Sequence, residues 1–270
     1  MMNKRKLALG EIKKRSVDLL AVFDEYCIEN DLTYWMSYGT LIGAARHAGF
    51  IPWDDDVDLM MPLEDYKRLL YLVNVEGVSL PAPYRIASTS IPYPSSPHHI
   101  WFPKVYDTST CCKWGGGFRK GADLEMGVWL DIFPLVGTEA TGTPSSSAEK
   151  FEKYQRKAES CLFDVEGKRN ALRALTARLW GYEHWNQAYE NLLLQQREMT
   201  GSEFVFDTTY PKVVYKTEWF EDTLRLPFEG IELPAPARFD EVLSAYYGDW
   251  RTLPPEKERV VAHACDFYEV

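Results

Sequence analysis

Four aspartates fall within five positions: Asp54, Asp55, Asp56 and Asp58. They follow Trp53 directly and precede the apolar run Leu59-Met60-Met61. A surface loop holds such charge cheaply, whereas a strand entering a core does so only if a cation neutralises it. In an extended chain, Asp56-Val57-Asp58-Leu59 puts both carboxylates on one face and both aliphatics on the other. Neighbouring carboxylates repel, and a divalent cation removes that penalty. The segment therefore predicts a magnesium site at the edge of a sheet, with manganese as the alternative ion.

Two further pieces complete a chemical set. Gly39-Thr40 stands where a strand-like stretch gives way to a helix, a turn whose backbone amides and helix dipole suit a phosphate. Asp131 interrupts the apolar strand Trp129-Leu130-Asp131-Ile132-Phe133. A lone carboxylate there is costly, and a shared metal would supply its partner. A Gly-Thr turn, an Asp-x-Asp strand and a later strand aspartate are the parts of a nucleotidyltransferase-type phosphoryl-transfer site.

The elements that must position these residues follow from pattern. Residues 11–30 read as a helix with the apolar stripe Ile12, Leu19, Leu20, Phe23, Tyr26 and Cys27. Residues 33–38 read as a short aromatic strand, 41–48 as a small-residue helix closed by Gly49, and 56–61 as the second strand. Pro62 suits the first turn of the next helix. Residues 74–97 read mainly as loop, 99–107 and 127–133 as strands, with a flexible Gly115-Gly116-Gly117 tip between them. Residues 138–200 read as a helical lobe of three segments, the second carrying Leu172, Leu175 and Leu179. They divide a catalytic core made of 1–137 and 201–270. A last helix carries Phe239, Val242, Leu243 and Tyr246 and stops at Gly248. The expected fold is α/β: a small mixed sheet of nucleotidyltransferase type, flanked by helices, with an inserted helical lobe.

The run from Tyr38 through Gly39-Thr40-Leu41-Ile42-Gly43-Ala44-Ala45-Arg46-His47-Ala48-Gly49-Phe50-Ile51-Pro52-Trp53 to Asp58 resembles the signature of the LicD family. The resemblance continues at Lys104-Val105-Tyr106-Asp107, Leu130-Asp131-Ile132-Phe133-Pro134, Leu226-Pro227-Phe228-Glu229-Gly230 and Tyr247-Gly248-Asp249-Trp250. It covers most of the chain, and the helical lobe least. It implies a nucleotidyltransferase-like fold and transfer of a phospho-substituent from a CDP-linked donor to a glycan, with CMP released. Phosphocholine from CDP-choline, moved onto lipopolysaccharide or teichoic acid sugars, is the best-known case. Ribitol phosphate in the fukutin group is the alternative, and glycerol phosphate from CDP-glycerol is a further one. Carried over, Asp56 and Asp58 would hold magnesium and Asp131 would complete the site. His263 stands where bacterial relatives tend to have a histidine, but Ala264-Cys265-Asp266 departs from the pattern.

Other readings compete. Asp54, Asp56 and Asp58 have the spacing of a calcium loop, yet Leu59 stands where an EF-hand needs glycine and Asp65 where it needs glutamate. A metal-dependent glycosyltransferase also uses Asp-x-Asp, but such enzymes usually build a nucleotide-binding βα half first, and few residues precede Asp54. A non-catalytic nucleotide- or glycan-binding relative is the third alternative. Asp131, or else Asp54, is the expected general base. Arg46 and Lys104 are the expected phosphate contacts, ahead of Arg119 and Arg251, and His263 joins them as a substrate-side residue. His98-His99 and Cys111-Cys112 lack zinc spacing. Aromatics crowd the motifs and would suit a quaternary ammonium, although aromatics on strands are more often core.

Bulk properties bound the reading. A formal charge of −10 over 270 residues argues against nucleic acid as the main partner. The expected partners are a CDP-linked small molecule and a glycan or lipid-linked oligosaccharide. Five cysteines without framework spacing suggest a reducing compartment. No apolar run reaches the roughly 18 residues that span a bilayer. The expectation is a cytoplasmic protein with at most peripheral contact at the inner face of the membrane.

Overall fold

The computed structural model describes residues 5–91, 102–114, 126–139, 146–162, 168–260 and 265–270. His263, Arg119, His98, His99 and the Gly115–Gly117 tip lie outside them.

Helix α1 (Leu9–Glu29) buries the expected stripe from Ile12 to Cys27. Strand β1 (Trp35–Met36) is shorter than its aromatic run, because α2 (Tyr38–His47) already begins at Tyr38. Strand β2 (Asp58–Pro62) leads into α3 (Leu63–Tyr71), with Pro62 as the N-cap. Within the supposed loop lies a strand, β3 (Tyr84–Ala87), an edge partner of β4 (Lys104–Asp107). Its alternation is hard to see between Pro81, Pro83 and the serines around it. Strand β5 (Thr110–Trp114) follows, then β6 (Trp129–Thr138), which runs on through Pro134 where the sequence pattern stops at Phe133.

After β6 come α4 (Ser146–Leu162) and α5 (Lys168–Leu194). The second and third expected helical segments meet within α5 at Gly181, whose non-helical backbone at φ +79° separates them. Ala148, Phe151, Tyr189 and Leu193 from these helices join the same apolar core as the sheet. The chain then forms β7 (Phe204–Asp207), β8 (Val214–Lys216), the hairpin β9 (Thr223–Phe228) and β10 (Ile231–Pro236), α6 (Phe239–Tyr247) and β11 (Cys265–Glu269).

Among the described residues seven strands form the central mixed sheet, in the order β1-β2-β6-β4-β3, with β7 on the far half of β6 and β8 beside β7. Strand β6 is its axis. It runs parallel to β2 and antiparallel to β4 and β7. Its apolar residues from Leu130 to Val136 are buried, as expected for a strand covered on both faces. The β9–β10 and β5–β11 pairs stand apart as two-stranded ribbons. Cys112 is disulfide-bonded, which an odd cysteine count without framework spacing does not announce. No helix among the described residues is long and apolar enough to cross a membrane.

Candidate active site

Three central strands place one charged residue each at the same level. Asp58 on β2 is in register with Asp131 on β6, and Asp131 is in register with Lys104 on β4. Asp58 opens its strand because Thr40 Oγ1 accepts its amide proton at 2.9 Å, while the carbonyl of Val57 accepts the amide of Asp131 at 2.9 Å. Asp56 therefore lies in the turn before β2 and not on the strand. The expected alternation of Asp56 and Asp58 along one strand face gives way to a loop folded back on the strand end. That loop brings the carboxylates of Asp54, Asp55 and Asp56 within 4.8 Å of one another, all half-buried.

The electrostatics reflect this crowding. Enclosure pushes the Asp58 carboxyl well above the usual carboxylate range. The negative charges of Asp56, Asp131 and Asp54 push it further, and Lys104 opposes them. Lys104 is buried, and its ammonium pairs with Asp131 Oδ1. The same ammonium lies 4.6 Å from the Phe102 ring centroid and 5.0 Å from that of Trp129. Aromatic faces and a carboxylate thus replace the water that a buried lysine loses. Around Asp58, the charge of Lys104 is outweighed by those of the neighbouring aspartates. The oxygen-only donor set of Asp54, Asp55 and Asp56 would fit a hard divalent cation, whereas Asp58 and Asp131 stand outside that group on the strand ends.

The helix start and the acidic loop are built against each other. A Cβ on Gly39 would stand 2.5 Å from Asp54 Oδ2, so the missing side chain lets that carboxylate rest on the first turn of α2. Gly39 thus receives an anion from its own chain, and the Thr40 hydroxyl is spent on Asp58. Gly43 permits a close approach of Gly49 and Ile51, since a Cβ there would collide with the Gly49 carbonyl. Glu229, in the β9–β10 turn, accepts the Phe50 amide at 3.0 Å. Lys13 Nζ donates to the carbonyls of Ile51 and Pro52 at 3.3 and 3.2 Å. The loop carrying the acids is therefore held by α1, α2 and the β9–β10 hairpin together. Replacing Gly39 by alanine should displace the end of the Asp54 side chain and little else. We expect turnover to drop roughly 10- to 100-fold, with thermal unfolding within a few degrees of wild type. Enzyme kinetics and a thermal melt check both.

Tyr38 holds the junction from the other side. It has φ +44°, unusual for a bulky residue. Its hydroxyl donates to Asp207 Oδ2 at 2.5 Å, and its ring packs edge-on against Phe133, Tyr210 and Tyr246. These contacts over-determine a backbone conformation that would otherwise relax. Burial raises Asp207 to about 6, against the bonds from Tyr38 and the Thr209 and Tyr210 amides. Tyr210, Tyr246 and Tyr247 lie near enough to Asp58 for its charge to disfavour their ionisation. Tyr210, Tyr246 and Phe102 also line a cleft of about 670 Å³ that opens toward α4.

The basic candidates divide. Arg46 donates to the Trp250 carbonyl at 3.0 Å and to His47 Nε2 at 3.0 Å. Its guanidinium feels the positive charge of Arg259, whose own guanidinium lies 5.6 Å from the ring centroid of Trp53, next to Asp54. Two arginines beside the acidic loop are a better anion site than either alone. Sequence reading passed over Arg259 because only the fold brings it to Trp53. Arg251 is turned to Asp240 at 2.6 Å and lies over Trp250. Lys104 is engaged with Asp131 and is not an open surface cation.

Comparison with known proteins gives this geometry a context. Residues 31–91 match the family domain described as LicD/FKTN/FKRP, nucleotidyltransferase domain. That span holds Gly39, Thr40, Arg46 and all four clustered aspartates. The chain is 26% identical over 275 residues to the lipopolysaccharide cholinephosphotransferase LicD of Haemophilus influenzae, covering 98% of this chain and 99% of that protein. Over 47 residues it is 62% identical to the human ribitol 5-phosphate transferase FKRP, covering 17% of this chain and 10% of that one. Over 65 residues it is 34% identical to the mouse ribitol-5-phosphate transferase FKTN, covering 24% and 14%. Residues 31–91 thus match a nucleotidyltransferase domain shared by LicD, FKTN and FKRP, and the likeness to the cholinephosphotransferase LicD runs from end to end of the chain.

Proposed function

We propose that this protein transfers phosphocholine from CDP-choline to a hydroxyl of a cell-surface glycan, releasing CMP. The observation that carries the reading is the acid-lined strand end, Asp58 beside Asp131 with Asp54 and Asp56 folded over it, in a chain alike to a cholinephosphotransferase along its whole length. Magnesium, or manganese, would be held by Asp56 and Asp58, with Asp131 completing the set. When bound it would offset the charge of the donor phosphates and of the carboxylates themselves.

The remaining chemistry belongs to the chain. Arg46 and Arg259 lie on the side of the acidic loop where a donor phosphate can be neutralised. The acceptor oxygen attacks the phosphorus bearing choline as the bond to the CMP oxygen breaks, and CMP leaves with that electron pair. Asp131 takes the acceptor proton, with Asp54 as the alternative. Asp131 is preferred because Lys104 fixes its position. The tyrosines around Asp58 limit water at the reacting phosphorus.

A second reading, alditol-phosphate transfer from CDP-ribitol or CDP-glycerol, is favoured by the 62% identity to a ribitol 5-phosphate transferase over the shorter stretch. A CMP-release assay over CDP-choline, CDP-ribitol and CDP-glycerol, with and without magnesium, separates the two. Magnesium-dependent release from CDP-choline is the expected result. Release confined to the alditol donors overturns it in favour of the second reading, and donor binding without release makes the protein a binding module.

A further inference from the structure

Helix α4 turns a polar face into a cleft. Ala148, Phe151 and Ala158 sit in the core, while Glu152, Gln155, Arg156 and Glu159, spaced i, i+3, i+4 and i+7, line the 670 Å³ cleft. Tyr210, Tyr246 and Phe102 supply the aromatic part of its lining. Tyr210 is 46% exposed, yet its ring centroid is held 5.3 Å from that of Tyr38, 6.0 Å from that of Phe133 and 6.1 Å from that of Tyr246. A ring fixed by three others and left open to water is a preorganised binding surface, because little side-chain freedom remains to be lost when a ligand covers it. Phe102 joins the cleft to the chemistry. Its ring lines the cleft and lies 4.6 Å from the Lys104 ammonium that pairs with Asp131. The cleft thus reaches the residues that hold the proposed general base.

The lining says what kind of molecule fits. Among its described residues two carboxylates, Glu152 and Glu159, are matched by two cations, Arg156 and Lys212. Glu152 is paired with both, at 3.3 Å from Arg156 and 3.5 Å from Lys212. A cleft without net charge favours neither a diphosphate nor a quaternary ammonium. Its volume is also far more than a trimethylammonium group fills. Arg46 and Arg259, assigned above to the donor phosphate, are not among its described lining residues. Carboxylates, an amide and paired cations beside aromatic faces suit a sugar. Its hydroxyls both donate and accept hydrogen bonds, and the C–H face of its ring packs on an aromatic one. Resting on the transferase reading above, we propose that this cleft holds uncharged sugar rings of the acceptor glycan, stacked on Tyr210 and hydrogen-bonded by the polar face of α4. A hydroxyl presented at the Phe102 end then lies nearest Asp131.

The probe is the oligosaccharide that mild acid releases from the surface glycan of source cells lacking this protein. Calorimetric titration of the full chain, with CMP and magnesium present so that no transfer occurs, measures its affinity apart from catalysis. Wild type should bind the oligosaccharide. Tyr210→Leu should weaken that binding about tenfold or more, whereas Tyr210→Phe, which keeps the ring, should change it by less than about twofold. Glu159→Ala, at an exposed position of α4, should weaken it about threefold or more, and it decides the matter if Tyr210→Leu does not fold. Affinity for CMP should stay within about twofold of wild type in all three. Absence of oligosaccharide binding by wild type overturns the proposal. So does unchanged oligosaccharide affinity in Tyr210→Leu and Glu159→Ala. A loss of CMP affinity with the oligosaccharide unaffected assigns the cleft to the donor base instead. Failure of the transferase reading looks different: no CMP release from any donor, with oligosaccharide binding present and weakened by the same variants.

Discussion

Asp58→Asn should reduce transfer on the order of a thousandfold or more while leaving the fold intact or more stable. Activity falls because the carboxylate proposed to share the metal with Asp56 becomes a neutral amide. Stability does not fall with it, because Asp58 sits among Asp54, Asp56 and Asp131, whose charges and the enclosure of Asp58 outweigh the opposing charge of Lys104. The sign of the pH dependence follows from its raised carboxyl. A carboxylate whose pKa is raised by folding contributes stability below its unfolded pKa and loses it as pH rises through the higher folded value. Metal-free wild type should therefore lose stability as the pH climbs out of the ordinary carboxylate range toward neutrality. Magnesium at neutral pH should restore it, by about 2.7 kcal/mol at a hundred times its dissociation constant. The asparagine variant should show a smaller magnesium gain and a flatter pH profile. CMP release and thermal melts with magnesium or a chelator measure both properties. Wild-type turnover by Asp58→Asn would remove Asp58 from the metal site.

Lys104→Met should be damaging in a different way, costing about 3–5 kcal/mol of stability along with activity. Lys104 and Asp131 are both largely enclosed, their side chains 6 and 14% exposed. Removing one partner of such a pair leaves an uncompensated charge in a medium that solvates it poorly. Here the orphan would also face Asp58 in register across the strand. Methionine keeps much of the volume between Phe102 and Trp129, so the loss reports charge more than packing. Combining Lys104→Met with Asp131→Leu should recover most of the stability and none of the activity, since an apolar pair can replace a buried ion pair without loss. Denaturant titration of the single and double variants decides this. A double variant less stable than Lys104→Met alone would mean that the pair stabilises the fold through packing and not through charge.

Part of this site is readable along the chain because its chemistry is local. Asp54 to Asp58 sit within one turn and one strand start, and Gly39-Thr40 lies one short helix away, so residue type and spacing announce a charged site. The apolar strand around Asp131 is equally plain, since a carboxylate among buried residues demands a partner wherever the strand lies. Periodicity also places α1, α4 and α6, whose apolar stripes face the core. It fails for Leu175 and Leu179, which are exposed. Leucines at helical spacing read as a buried stripe, and nothing in the spacing says which face the core will cover.

What only the tertiary structure decided is pairing between distant segments. The parallel register of β2 and β6 sets Asp58 beside Asp131, and β4 adds Lys104 as the partner of one acid, where its sequence neighbours suggested a phosphate contact. Asp56 left the strand because the Thr40 hydroxyl claimed the Asp58 amide, a bond across eighteen positions. Arg259 reached Trp53, Glu229 reached Phe50, and Asp207 reached Tyr38 in the same way. Local pattern encodes which face of an element is apolar and where charge is concentrated. Which charges neutralise one another depends on strand order and register, set by how the whole core packs.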